Sequence, residues 1–140
     1  MSQENVEIVG RAIDAFNQRD VDDMVRDWDP EIEVDWSQSR GLEAGIYRGQ
    51  EAVLGLWRTF LETFDRATVS PDEFIECREH VVVPNRTHFR GRNHVEVAAQ
   101  SALVVTLRNG RIVKWRLYQE RAEALEAVGL SEQDVHAEPS

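Results

Sequence analysis

The sequence predicts one α+β domain in which helices occupy the first half and antiparallel strands the second. Three observations predict it. Apolar residues recur at helical spacing in three segments before residue 65. From Thr68 the pattern changes to strands with period-two alternation. Asn109-Gly110 then joins the longest strand to the one that returns beside it, as a two-residue hairpin. Helices first and strands afterwards place the helices on one face of the sheet, because each element must bury its apolar side against another layer.

The first helix carries Val6, Val9, Ile13 and Phe16 on one stripe, with Ser2 positioned to cap its start. A second stripe, Val21, Met24, Val25 and Trp28, follows Gln18-Arg19-Asp20. Asp29-Pro30 ends it, since the residue before a proline disfavours the helical region. Residues 31–37 alternate Ile32, Val34 and Trp36 against Glu33 and Asp35, which predicts a half-buried strand. Ser39 to Gly49 reads as a loop. A third helix then buries Val53, Trp57, Phe60 and Phe64, widened by Leu54 and Leu61.

Val69 and Phe74 to Cys77 belong to one strand region, with Pro71 at an irregular or edge start. Residues 81–89 form the next strand, with Pro84 at a bulge or edge position. Residues 95–108 are the longest run, and Val95, Val97, Ala99, Ser101, Leu103, Val105 and Leu107 share one of its faces. Residues 111–120 return, and residues 122–128 make a short helix stopped by Gly129. The domain is therefore assigned to residues 1–130, with residues 131–140 a flexible polar tail.

Composition narrows the function. The chain has 140 residues, enough for one domain that buries a sizeable core without metals or disulfides. Sixteen Lys and Arg against 26 Asp and Glu give a net charge of −10. That balance argues against nucleic acid, whose phosphates need clustered cations, and against an anionic membrane surface. No stretch approaches a membrane span and no secretory signal is visible. Cys77 is the single cysteine, so the expected compartment is the reducing cytoplasm. The histidines His80, His94 and His136 lack zinc-site spacing, and Gly41, Gly45 and Gly49 do not form a dinucleotide loop. Neither a metal nor a cofactor is expected.

Three stretches carry a likeness to a known family. They are Phe16 to Asp20 after the first helix, Tyr47 to Val53 entering the third, and Asn109 to Val113 at the hairpin. With the ending Tyr118 to Leu130, they resemble the SnoaL-like branch of the nuclear transport factor 2-like superfamily, which includes ketosteroid isomerases and limonene epoxide hydrolase. The resemblance implies a cystatin-like α+β barrel. A cone-shaped, strongly curved, mostly antiparallel sheet would enclose a pocket, with the three helices of the first half on its concave face. It also implies a small hydrophobic molecule as partner and a homodimer through the outer sheet face. The fold is shared by many activities, so the site has to be argued from its residues.

Asp35 falls where ketosteroid isomerases place their proton-abstracting Asp, although alternation equally makes it the solvent-facing member of its strand. Ala12 and Leu103 stand near positions where those isomerases carry oxyanion donors, which argues against their mechanism. Arg86 and His88 share one strand face and resemble the hydrolase's Arg-X-Asp, with His88 at the acid's place and Leu117 where its second acid would lie. The expected site is therefore an acid–base pair of Asp35 and His88, with Arg86 binding an oxyanion of a hydrophobic carbonyl compound. The competing reading pairs Arg86 and His88 with carboxylates such as Glu76 or Glu96. Trp36, Trp57, Trp115 and Gln119 are expected to wall the pocket. Alternation separates Trp115, Leu117 and Gln119 from Arg116, Tyr118 and Glu120, so one set faces inward; the hydrolase likeness favours the set with Trp115. Cofactor-independent isomerase or cyclase chemistry, a non-catalytic binding or sensing module, and a dimeric interaction domain all remain open.

Overall fold

A computed structural model describes residues 2–39, 43–91 and 93–136. Helix α1 (Ser2–Asn17) is followed by α2 (Val21–Met24), strands β1 (Trp28–Asp35) and β2 (Ile46–Arg48), and helix α3 (Gln50–Thr63). Then come β3 (Phe64–Pro71), β4 (Ile75–Cys77), β5 (His80–Gly91), β6 (Glu96–Arg108) and β7 (Arg111–Tyr118), with α4 (Arg121–Ala127) and α5 (Glu132–His136) at the end. The sheet runs β2-β1-β7-β6-β5-β3, with β4 beside β5. Among the described residues only β1 and β7 run parallel; every other pair is antiparallel. The α+β class and the mostly antiparallel sheet are as expected from the sequence. The capping side chain expected at Ser2, residues 40–42 of the expected loop and residues 137–140 of the expected tail lie outside what is described.

The main core lies between the sheet and the first three helices. Val9, Ile13 and Phe16 of α1, Val21 and Met24 of α2, and Val53, Leu56, Trp57 and Phe60 of α3 meet Ile32, Val34, Val81, Val83, Leu103, Val105 and Trp115 from the strands. The opposite sheet face buries Val82, Ala102 and Val104 under Ala124, Leu125 and Val128 of the C-terminal segment. Thus α4 covers the apolar part of the outer face. Among the described residues, no helix is long and apolar enough to cross a membrane.

The stretches that carried the family likeness are joints between these elements. Asn17 bonds β3 twice, donating to the Val69 carbonyl (2.9 Å) and accepting the Val69 N–H (2.8 Å). The Arg19 guanidinium donates to the carbonyls of Leu61 and Phe64, orphan acceptors at the end of α3. Asp20 caps α2 by accepting from the Asp23 N–H at 3.0 Å. Gly49 adopts φ +88°, a left-handed backbone angle that costs a residue without a side chain little, and Gln50 then reaches back to the Trp28 carbonyl (2.9 Å). Asn109 and Gly110, at φ +55° and +78°, make the expected hairpin turn.

Several local expectations need correction. The second helix stops at Met24 rather than running to Trp28, because Trp28 opens β1 and stacks on Trp115, ring centroids 4.9 Å apart. Pro30 therefore sits inside β1, at the register shift between Trp28 and Glu33. The loop before α3 contains β2, an edge strand paired with β1. The single strand region at 69–77 is two strands, β3 and β4, which share β5 as partner.

Pro84 marks the break between them. Its register with β6 is continuous, while on its other side the pairing gap at 72–74 leaves no ladder bond for a missing N–H to interrupt. The expected loose tail begins with α5, where Val135 packs on the outer core and Glu132 accepts from Arg121 Nε at 2.9 Å. The expected boundary at residue 130 therefore cuts across packed residues.

Candidate binding cavity

The curved sheet and the helices leave a cavity of about 650 Å³. Its wall is chiefly apolar and includes seven aromatic residues: Phe16, Trp36, Trp57, Phe60, Phe64, Phe89 and Trp115. Trp36 meets Trp57 edge-on at 5.3 Å, Trp57 meets Trp115 at 6.4 Å, and Phe64 stacks on Phe89 at 4.9 Å. Aromatic rings contribute large apolar area with few torsions to freeze, so such a wall is rigid before anything enters it.

The described polar lining residues are uncharged with the exception of Glu120. Asn85, only 2% exposed, donates to the Val83 carbonyl (2.8 Å) and accepts from Ser101 Oγ (3.1 Å). Trp57 and Trp115 line the cavity at 3% exposure each, and their indole N–H groups have no hydrogen-bond partner among the described residues. Gln119 Nε2 donates to the Gln38 carbonyl at 2.7 Å. Among the described residues, Glu120 is the only lining residue with an ionisable side chain, and it is exposed at the mouth.

The residues expected from the sequence divide sharply. Trp36, Trp57, Trp115 and Gln119 all line the cavity, so the inward set on β7 is the one containing Trp115. Asp35, Arg86 and His88 do not line it. Asp35 alternates away from Val34 and Trp36 and accepts from Ser37 through its N–H (3.0 Å) and hydroxyl (2.6 Å). Arg86 Nε donates to Asp72 Oδ1 (3.1 Å), and His88 Nε2 lies 2.7 Å from Glu96 Oε1. These are surface pairs on the outer face, and the sheet separates them from the cavity. Asp35, His88 and Arg86, expected as an acid–base pair and an oxyanion holder, thus stand outside the cavity lining, each with a surface neighbour of its own.

Asn85, Thr87 and Ser101 were not singled out as cavity residues, yet alternation carried a signal for each. Ser101 shares its strand face with Leu103 and Val105, and Asn85 and Thr87 lie in phase with Val81 and Val83, the core residues of β5. That phase places Arg86 and His88 opposite. Cys77 is an ordinary thiol, its Sγ 3.6 Å from the Val128 carbonyl. Among the described residues no three His, Cys, Asp or Glu side chains gather as a metal site would require.

Comparison with known proteins places this geometry. Residues 9–115 match the model of the SnoaL-like domain. A protein of unknown function from Burkholderia pseudomallei, described as nuclear transport factor 2-like, superposes with TM-score 0.75 at 23% identity, covering 90% of this chain and 98% of that one. Bal32a, from a soil-derived mobile gene cassette, gives 0.77 at 19% identity over 91% and 97%. TerC, co-crystallised with polyporic acid, gives 0.74 at 16% over 89% and 97%. At these identities the likenesses show the fold. No curated protein matches the chain.

Proposed function

Because the chain belongs to the SnoaL-like family, we propose that its cavity binds an uncharged, largely apolar aromatic molecule bearing hydrogen-bond acceptors. The observation that carries this reading is the pairing of an aromatic wall with buried neutral polar groups. An ionised ligand placed here would lose hydration with no opposite charge to meet it. A carbonyl oxygen, in contrast, would find uncharged donors in the lining, such as the Gln119 amide. A volume of about 650 Å³ suits a ligand of two to four fused rings or similar bulk. TerC, a neighbour of the same fold co-crystallised with polyporic acid, supports ligand binding as the use of such a cavity, while the neutrality of the ligand is argued from this lining alone.

Proton-transfer chemistry through an Asp–His pair has no place in this cavity. Among the described residues, a reaction needing a charged base inside the lining has only Glu120 to use. Binding is therefore the activity the geometry supports best.

Calorimetric titration with 2-acetylnaphthalene and with 2-naphthoate, which are matched in size, tests the proposal. Saturable binding of the ketone is expected, with the carboxylate at least tenfold weaker. Gln119→Leu, which removes an uncharged donor from the lining, should lower ketone affinity roughly fivefold, for one hydrogen bond of about 1 kcal/mol. Tighter binding of 2-naphthoate, or binding of neither, would overturn the reading.

A further inference from the structure

The buried amide of Asn85 has only one way to stand. Its Nδ2 donates to the Val83 carbonyl at 2.8 Å, and a carbonyl oxygen only accepts, so the amide cannot turn its own oxygen that way. Its Oδ1 is therefore held toward β6, where Ser101 stands opposite Asn85 in register. Oδ1 likewise only accepts, and Ser101 Oγ lies 3.1 Å from it. The single proton of the Ser101 hydroxyl is thus committed to Asn85.

Burial makes that commitment firm. Asn85 is 2% exposed, so turning the hydroxyl away would leave a buried amide oxygen unpaired, which costs more than one exposed hydrogen bond gains. Ser101 lines the cavity, and toward it Oγ presents lone pairs alone. Among the described residues no group donates to that oxygen. Thr87, diagonal to Ser101 on the same face, repeats the pattern over a longer contact: its Oγ1 directs its proton to the Ala99 carbonyl at 3.4 Å.

We propose that Ser101 is a specificity-determining residue of the cavity, an acceptor that selects ligands carrying an uncharged O–H or N–H donor on a ring edge. A ligand oxygen without a proton, set against Ser101 Oγ, would lose its hydration and face lone pairs with lone pairs. A ring hydroxyl there would donate to Oγ. It would extend a chain from ligand to Ser101, to Asn85 and to the Val83 carbonyl, in which each bond polarises the next. The inference rests on the reading of the cavity as a site for an uncharged aromatic molecule. To the acceptors of that ligand it adds a donor, at a stated place.

Titration of the intact chain with 2-naphthol and 2-fluoronaphthalene near neutral pH tests it. Fluorine is close to a hydroxyl in size and has no proton to donate. The wild type should bind the naphthol more tightly, although the fluoro compound is the more apolar. The naphthol-to-fluoronaphthalene affinity ratio should fall about fivefold in Ser101→Val, which puts a methyl group in the hydroxyl's place. Ser101→Thr, which keeps the hydroxyl, should retain the ratio.

Tighter binding of 2-fluoronaphthalene by the wild type, or a ratio that Ser101→Val leaves unchanged, would overturn the inference. The first comparison needs no variant, so it decides the matter even where Ser101→Val fails to fold. If 2-acetylnaphthalene still binds, such a result removes the donor preference alone. If none of the three compounds binds, the reading of the cavity falls with it.

Discussion

The two faces of the sheet are built from alternate residues of the same strands and differ in almost every physical respect. Inward, β5 presents Val81, Val83, Asn85, Thr87 and Phe89; outward, it presents His80, Val82, Arg86 and His88. The inner face holds an aromatic wall with neutral polar groups that are buried. The outer face holds ion pairs in water and a small apolar patch roofed by α4. Charge-bearing side chains gather where solvation costs nothing, and the cavity keeps groups that tolerate burial uncharged. The residues that look most chemical in the sequence are thus the ones the fold spends on its surface.

The comparison breaks most visibly in the inner layer. Trp28 is fully buried, stacked on Trp115 and edge-on to Trp57 with centroids 6.2 Å apart. Trp28→Ala should destabilise the fold by about 3–5 kcal/mol, read from urea unfolding midpoints, because the surrounding rings cannot collapse into the space. A loss below about 1 kcal/mol would mean that the aromatic layer is loosely packed and that the cavity wall is not preformed.

A smaller effect sharpens the outer face. His80 begins β5, its Nδ1 2.9 Å from Thr106 Oγ1. Burial lowers its pKa below the ordinary 6.5, with Arg116 and Arg78 acting in the same direction and Glu79 opposing them. The unfolded chain then binds the proton more readily than the folded one. Stability is full above about pH 6.5 and falls as the pH drops below it. His80→Gln should flatten the melting temperature between about pH 6.5 and pH 5, above the range where carboxylates titrate. An unchanged slope in the variant would remove His80 from the account.

Much of the fold was legible because its signals are local. The stripes of α1 and α3, the Asn109-Gly110 turn and the alternation of β6 each depend on a few neighbouring residues. The failures came where distant contacts decide. Trp28 continues a helical stripe in the sequence, yet stacking on Trp115, 87 positions away, draws it into a strand. Residues 46–48 have no pattern of their own and become β2 only through pairing with β1. At the site, the aromatic wall was readable from composition and alternation. Asp35 was ambiguous because it stands on the outward phase of its own strand while lying beside the inward Trp36. Family likeness drew Arg86 and His88 toward the cavity, and the phase set by Val81 and Val83 places them outside it.

The finest test of the two-face contrast is an expected absence of effect. Asp35→Asn, Arg86→Gln and His88→Gln each remove one partner of an exposed interaction. Surface pairs of this kind contribute little, since water solvates both partners well and holding two long side chains together costs entropy. Each variant should therefore change unfolding free energy by no more than about 0.5 kcal/mol and leave 2-acetylnaphthalene affinity within about twofold. Ser101→Ala, on the opposite face of the same sheet, supplies the contrast: it strips Asn85 Oδ1 of its donor and should weaken ketone binding measurably. If a change at Asp35 or His88 alters ligand affinity tenfold while Ser101→Ala does not, the working face of this sheet is the outer one.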